Sequence, residues 1–159
     1  MAANDTYLTT EGLRGLEEEL EQLRSVRRME IVERIQAAKE AGVLENAEYE
    51  EAKTEQGFVE GRIRGLESMI QNAIIIPNHS NAKQKSSVIE LGSIVKIQQL
   101  GGKKDETYTI VGSTEASPTE GKISNESPLG QALLGKSADD EVEFAVPAGV
   151  QRFKVMTVR

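Results

Sequence analysis

The chain has 159 residues, a net charge of −7, no cysteine and a single histidine. That length suits one domain or two small ones. The missing cysteines rule out disulfides and thiolate zinc sites, and His79 alone cannot form a histidine cluster for a metal or a triad. The acidic balance argues against a free-standing DNA binder, which needs a basic face for phosphate, and points to a protein partner or to a metal site that tolerates carboxylates.

No apolar run reaches the ~18 to 20 residues that span a bilayer. The opening "MAANDTYLTTEG" lacks the charged start and apolar stretch of a signal peptide. A soluble, cytoplasmic protein is expected. Residues from about Thr9 to Ala73 read as helix, with Thr9 as N-cap and Glu11 in the first turn. Leu13, Leu16, Leu20 and Leu23 follow the alternating three-and-four spacing of a coiled-coil seam. The line then runs through Arg27, Ile31, Ile35, Ala38 and Gly42. Its successive steps of four are a stutter, which locally unwinds a supercoil. Tyr49, Ala52, Gln56, Val59, Ile63, Leu66, Ile70 and Ala73 form a second seam in which only Gln56 is polar. Two such helices, joined by about four or five residues around Gly42, should pair antiparallel as a hairpin. Each arm would be about 45 Å long at 1.5 Å per residue, long enough to protrude.

The corner "AAKEAGVLENAEYEEAK" (residues 37–53) gathers Glu40, Glu45, Glu48, Glu50 and Glu51, with Lys39 and Lys53 on either arm. One reading is a plain helix junction, with Asn46 capping the second helix and Glu48 complementing its dipole. The other is a working tip. Mg²⁺ takes one or two protein carboxylates and keeps several waters, so the tip could complete a metal site that belongs to another protein. Spacing alone favours the junction.

Past Ala73, Pro77 ends regular structure and a polar linker over residues 77–87 carries a solvated His79. From Val88 onward the pattern is β: "SIVKIQQL", "ETYTIVG", "DEVEFAVP" and "QRFKVMTV" alternate or cluster β-branched and aromatic residues. "LGGKKDE" joins the first two as a turn; its "GGKK" lacks the context of a phosphate loop. "ESPLGQALLGK" is a short helix with Ser127 as N-cap, Pro128 in first position and Gly135 as the stop. Ser127 has no histidine base to make it a nucleophile. A small sheet with one helix packed on it is expected.

Taken in order, "LTTEG", "ENAEYEEAKTEQGFVEGRI", "YTIVG", "KISNESPLGQALLGK" and "VPAG…FKV" resemble the bacterial Gre transcript-cleavage factors, the GreA-like elongation factors in particular, over nearly the whole chain. The resemblance implies an α+β chain: an N-terminal antiparallel α-helical coiled-coil hairpin (residues 1–76), the linker (77–87) and a C-terminal FKBP-like β-sheet domain (88–159). It implies docking on core RNA polymerase through Glu126, Ser127 and Pro128, with the hairpin entering the secondary channel. Lys39 and Lys53 would meet the nascent RNA near its 3′ end. Tip carboxylates would help hold the polymerase's second Mg²⁺ and its attacking water, so that the polymerase's own active site cuts a backtracked transcript. The factor itself would be a monomer, with no cofactor when free and no enzymatic activity of its own.

The tip departs from the family pattern Gly-Asp-Leu-x-Glu-Asn-Ala-Glu-Tyr. Here Gly42 is followed by Val43, Leu44 and Glu45, so the metal-binding aspartate is a valine and one residue is missing. Glu45 is the retained carboxylate and the matched metal ligand; Glu48 is a candidate substitute. The deletion shortens the corner by up to ~3.5 Å, and a displacement of about 1 Å can cost about 100-fold in rate. The expectation is an elongation factor with impaired cleavage, or else a non-cleaving or anti-cleavage regulator of the same channel. The family's Arg-Pro is Arg28-Met29 here, and its "EAD" is Glu115-Ala116-Ser117. Two further classes fit the sequence less well. A prolyl isomerase of FKBP type would line a pocket with aromatics, whereas Tyr108, Phe144 and Phe153 fall at core positions of strands. A purely structural coiled coil would dimerise.

Overall fold

The computed structural model describes residues 5–42, 47–77 and 88–159. Contacts divide the chain into two compact units, one comprising Leu13–Ala73 and the other Thr6–Gly12 with Ile74–Arg159. Among the described residues, no helix is long and apolar enough to cross a membrane.

The first unit is a helical hairpin. Its first arm is α1 (Thr10–Gln22), a π-helical turn (Leu23–Arg27) and α2 (Arg28–Glu40); its second arm is α3 (Ala47–Gln71). The backbone stays in the right-handed helical region through Gln22, Arg27 and Arg28, and the Arg28 N–H donates to the Leu23 carbonyl, five residues back. The arm is therefore continuous, and the π turn sits where the stutter was read. From Leu23 to Ile31 is eight residues, about 800° of α-helix, which would leave Ile31 about 80° off the line of Leu23. A π turn absorbs one residue and restores the line to within about 20°. Ile31, Ile35 and Ala38 are accordingly buried, and Ile31 and Ile35 pack with Ala52, Tyr49 and Val59 of α3. The same turn moves Arg27 off the expected seam, where it is exposed, and brings Arg28 to the half-buried position.

The flanks of the hairpin are held by ion pairs. Arg62 donates to both oxygens of Glu19 at 2.7 and 2.9 Å, and Arg28 grips Glu60 at 2.7 and 2.9 Å. Arg24 pairs with Glu67, and Glu55 accepts from both Arg27 and Arg34. The residues nearer the closed end of the first arm (Arg27, Arg28 and Arg34) meet the earlier part of α3 (Glu55 and Glu60), and those farther from it (Glu19 and Arg24) meet its later part (Arg62 and Glu67), as antiparallel arms require. α3 ends at Gln71, and Ala73, expected on its seam, begins a strand instead.

In the second unit a five-stranded sheet has the order β5-β4-β3-β7-β6, formed by β3 (Ile94–Gln99), β4 (Asp105–Val111), β5 (Lys122–Ser124), β6 (Glu141–Val146) and β7 (Gly149–Val158). All pairings are antiparallel except β4 with β5, which is parallel. Val95 and Ile97 of β3, Ile110 of β4, Val142 of β6, and Phe153, Val155 and Val158 of β7 bury one face together with Ile89 and with Leu133 of α4 (Pro128–Leu133). Full burial of each such side chain contributes about 1.5–3 kcal/mol. Phe144 stacks on Phe153 at 5.7 Å between ring centroids, and Tyr108 packs on the same core. The strands expected from "SIVKIQQL", "ETYTIVG", "DEVEFAVP" and "QRFKVMTV" are all present. Three short ones were not legible: β1 (Thr6–Leu8), β2 (Ala73–Ile75), which pairs with it, and β5. Beyond Pro77 the linker read over residues 77–87, with His79, lies outside the described residues.

Thr9 caps α1 as expected: its Oγ1 accepts the Gly12 N–H at 3.0 Å. In a capping box the third helical residue would return a carboxylate to the cap's own N–H. That residue is Gly12, and Glu115 supplies the carboxylate in its place, accepting from Thr9 N at 2.6 Å and Thr9 Oγ1 at 2.5 Å. A Cβ on Gly12 would lie 2.2 Å from the Glu115 carboxyl carbon, so the glycine makes the room.

Glu115→Ala is expected to cost about 1–2 kcal/mol in urea unfolding, the range for a lost cap. Adding Gly12→Glu to that variant should return part of the loss by restoring the box within one helix, whereas Gly12→Glu alone must displace the Glu115 carboxylate and destabilise. Equal stability of the parent and Glu115→Ala would contradict this account.

The hairpin pairs set an acid limit. Hydrogen bonds from Arg62 hold the Glu19 carboxyl below its ordinary value, and those from Arg28 do the same for Glu60. A lowered native pKa contributes stability that is present above the unfolded pKa, near 4.5, and is lost as pH falls through the native value. Helical signal should therefore melt at progressively lower temperature below about pH 4.5. Replacing both Glu19 and Glu60 with glutamine should flatten that slope; an unchanged slope would remove these pairs as its source.

Candidate functional site

Two exposed places carry the residues singled out in the sequence, one in each unit. The first is the closed end of the hairpin. α2 ends at Glu40 because Ala41 leaves helical geometry (ψ −4°) and Gly42 turns left-handed with φ 72°, its N–H donating to the Lys39 carbonyl at 3.1 Å. Glycine adopts that conformation without steric cost. Val43, Leu44, the retained carboxylate Glu45 and the expected cap Asn46 lie outside the described residues.

Around that end the described charged side chains face solvent. Lys39, Glu48, Glu51 and Lys53 are all exposed. Lys53 Nζ donates to Gln56 at 3.2 Å, while Lys39 and Glu48 have no ion pair among the described residues. Glu48 lies in the first turn of α3, where a negative charge is favoured by the helix dipole. Ala37, Ala38 and Ala41 line a shallow groove with Arg34, Glu48 and Glu51. Behind it the Glu55 carboxylate bridges Arg27 and Arg34. This bridge was not foreseen, because it depends on which residues of α3 fall opposite the first arm. Among the described residues no three carboxylate or imidazole groups gather as a metal site.

The second place is the loop between β5 and α4. Ser127 is the N-cap expected of it: its Oγ accepts the Gly130 N–H at 3.1 Å and donates to the Ser124 carbonyl at 2.7 Å. Pro128 occupies the first helical position, where a missing N–H costs nothing. Gly135 turns left-handed (φ 78°) just past the helix, as expected of the stop. Glu126 and Pro128 are exposed, and the Glu126 side chain has no ion pair among the described residues. Its backbone N–H is tied to Ser124 Oγ at 3.0 Å. Sequence reading missed Ser124; the available signal was a serine two residues before Glu126, the spacing of a side-chain turn.

Both places lie in segments that match described families. Residues 6–75 match the N-terminal domain of transcription elongation factors, and residues 83–159 match the GreA/GreB C-terminal domain. The chain is 52% identical to the transcription elongation factor GreA of Clostridioides difficile strain 630 over 153 residues, covering 96% of this chain and 94% of that protein. It is 48% identical to the GreA of Bacillus cytotoxicus over 161 aligned positions, with both chains fully covered. Among solved structures, the GreA factor homolog 1 (Gfh1) of Thermus thermophilus aligns at 31% identity, covering 98% of this chain and 99% of that one, with a TM-score of 0.43. This chain belongs to the GreA/GreB family of transcription elongation factors.

Proposed function

We propose that the chain is an accessory factor of bacterial RNA polymerase, cytoplasmic and monomeric, without catalytic activity of its own. It binds the core enzyme through Glu126, Ser127 and Pro128 and places the closed end of the hairpin in the secondary channel of a backtracked complex. The observation that carries this reading is the match of both halves of the chain to the domains of GreA/GreB transcription elongation factors, on a hairpin with exposed charges near its closed end. Along the arms, several arginines and glutamates pair across the helices, while Glu17, Glu21, Glu33 and Arg64 are exposed without an ion pair among the described residues. At the closed end Lys39 and Glu48 stay exposed and without an ion-pair partner among the described residues.

In this reading Lys39 and Lys53 meet the phosphates of the nascent RNA near its 3′ end. Glu45 would hold the polymerase's Mg²⁺ as the retained tip carboxylate, and Glu48, in the first turn of α3, would be the candidate substitute for the missing acid. Mg²⁺ would supply Lewis-acid activation of water for cutting the transcript. Valine at position 43 offers no oxygen, and the corner is one residue shorter than the family pattern. Cleavage is therefore weak while binding persists. The same valine favours a second reading, a non-cleaving or anti-cleavage occupant of the channel.

Transcript cleavage in a stalled, backtracked complex separates the two. The unmodified protein should stimulate cleavage about 100-fold less than a variant carrying Val43→Asp and one residue inserted before Glu45. Equal rates would show that a neighbouring carboxylate already serves and would end the impairment argument. Rescue by Val43→Asp alone would assign the defect to the ligand and acquit the loop length. Cleavage below the factor-free rate would select the anti-cleavage reading. For docking, Glu126→Lys should weaken binding to core polymerase at least about tenfold if that carboxylate meets a cation in a desolvated contact; unchanged affinity would remove Glu126 from the interface.

A further inference from the structure

We infer that Ser124 and Gly130 are positioning residues for the docking carboxylate of Glu126, an inference that rests on the polymerase-docking reading above. Glu126 lies between two fixed points. On one side Ser124 is the last residue of β5, held opposite Val111 in the parallel pairing with β4, and the next N–H, of Asn125, donates to the Val111 carbonyl at 2.9 Å. On the other side Ser127 caps α4, whose Leu133 is fully buried in the core.

Ser124 ties the two points together with both of its oxygens. Its hydroxyl accepts the Glu126 N–H at 3.0 Å. Its carbonyl accepts the Ser127 hydroxyl at 2.7 Å and the Ser127 N–H at 3.1 Å. The Ser127 hydroxyl then accepts from Gly130 N at 3.1 Å. This chain of bonds closes only because position 130 has no side chain: a Cβ there would stand 2.0 Å from the Ser124 carbonyl oxygen. Gly130 is buried and sits in the helix, where glycine is otherwise unfavourable by roughly 1 kcal/mol relative to alanine. Its presence is explained by this approach.

The consequence falls on Glu126. Its backbone is fixed by a bond from the adjacent strand while its carboxylate remains exposed and unpaired among the described residues. An acid held this way reaches a partner's cation without first ordering its own loop, which is the part of the binding cost that preorganisation removes. Ser124 therefore acts on docking through Glu126, without touching the partner.

The test measures affinity of the full chain for core RNA polymerase, together with hydrogen exchange at the Glu126 amide in the free protein. Glu126→Gln should weaken binding. Ser124→Ala should weaken it about fivefold, the scale of one neutral hydrogen bond, and accelerate exchange at Glu126; Ser124→Thr, which keeps the hydroxyl, should restore both. In the Glu126→Gln background Ser124→Ala should add little, because the two act as one unit. Gly130→Ala should weaken binding as well, and Ser124→Ala carries the test if that variant does not fold. Fully multiplicative losses for Ser124→Ala and Glu126→Gln, or unchanged affinity for Ser124→Ala where Glu126→Gln weakens binding, would overturn the inference. Unchanged affinity for Glu126→Gln would overturn the docking reading instead, and the exchange data would still report whether Ser124 fixes the loop.

Discussion

The hairpin depends on one constraint of phase. An apolar line along a helix stays on one face only if its spacing keeps pace with 3.6 residues per turn, and the first arm breaks pace between Leu23 and Ile31. The π turn at Leu23–Arg27 absorbs the surplus residue, so that the leucines of α1 and the isoleucines of α2 remain in line. Everything nearer the closed end follows from that correction. It buries Ile31 and Ile35 against Ala52, turns Arg28 onto Glu60, and leaves Arg27 and Arg34 where Glu55 can bridge them. Half-exposed ion pairs of this kind contribute little energy singly. Their geometry across the arms fixes register more than it adds stability.

In the second unit the recurring device is a glycine that lets a carboxylate or carbonyl approach a helix start. Gly12 admits the Glu115 carboxylate to the cap of α1, and Gly130 admits the Ser124 carbonyl to the first turn of α4. Each helix would otherwise begin with unsatisfied N–H groups. Both are closed by groups from outside the helix, which couples the helix start to its neighbours. A cap built this way is a tertiary contact although its chemistry is local.

The residues singled out in the two units are exposed charges: Lys39 and Glu48 near the closed end of the hairpin, and Glu126 beside the capped helix α4. The energy that holds each in place comes from residues without exposed chemistry of their own: buried isoleucines and leucine in the hairpin, and the sheet core with Leu133 beneath α4. The exposed groups are therefore free to change with modest cost to the fold. Val43 stands in sequence between the two seams and carries no side-chain oxygen, and the seams on either side of it are intact.

Much of this was legible in the sequence because it rests on local periodicity. The seams, the stutter, the caps at Thr9 and Ser127, the stop at Gly135 and four strands of the main sheet all follow from spacing and turn chemistry within about ten residues. The substituted tip is likewise a fact of sequence, read directly at Val43. What remained hidden involves partners distant along the chain. β1, β2 and β5 have three residues each, too few for a periodic signal, and exist because another segment lies alongside. Glu115 at the cap of α1, Glu55 between two arginines and Ser124 beneath Glu126 depend on register or on the route of a loop. A sequence names such groups without showing what they face. Sequence determined the helices, most strands and the altered tip; tertiary structure decided which carboxylates are spent within the fold and which remain available to a partner, because that choice depends on distances of a few ångströms between residues as much as about one hundred positions apart.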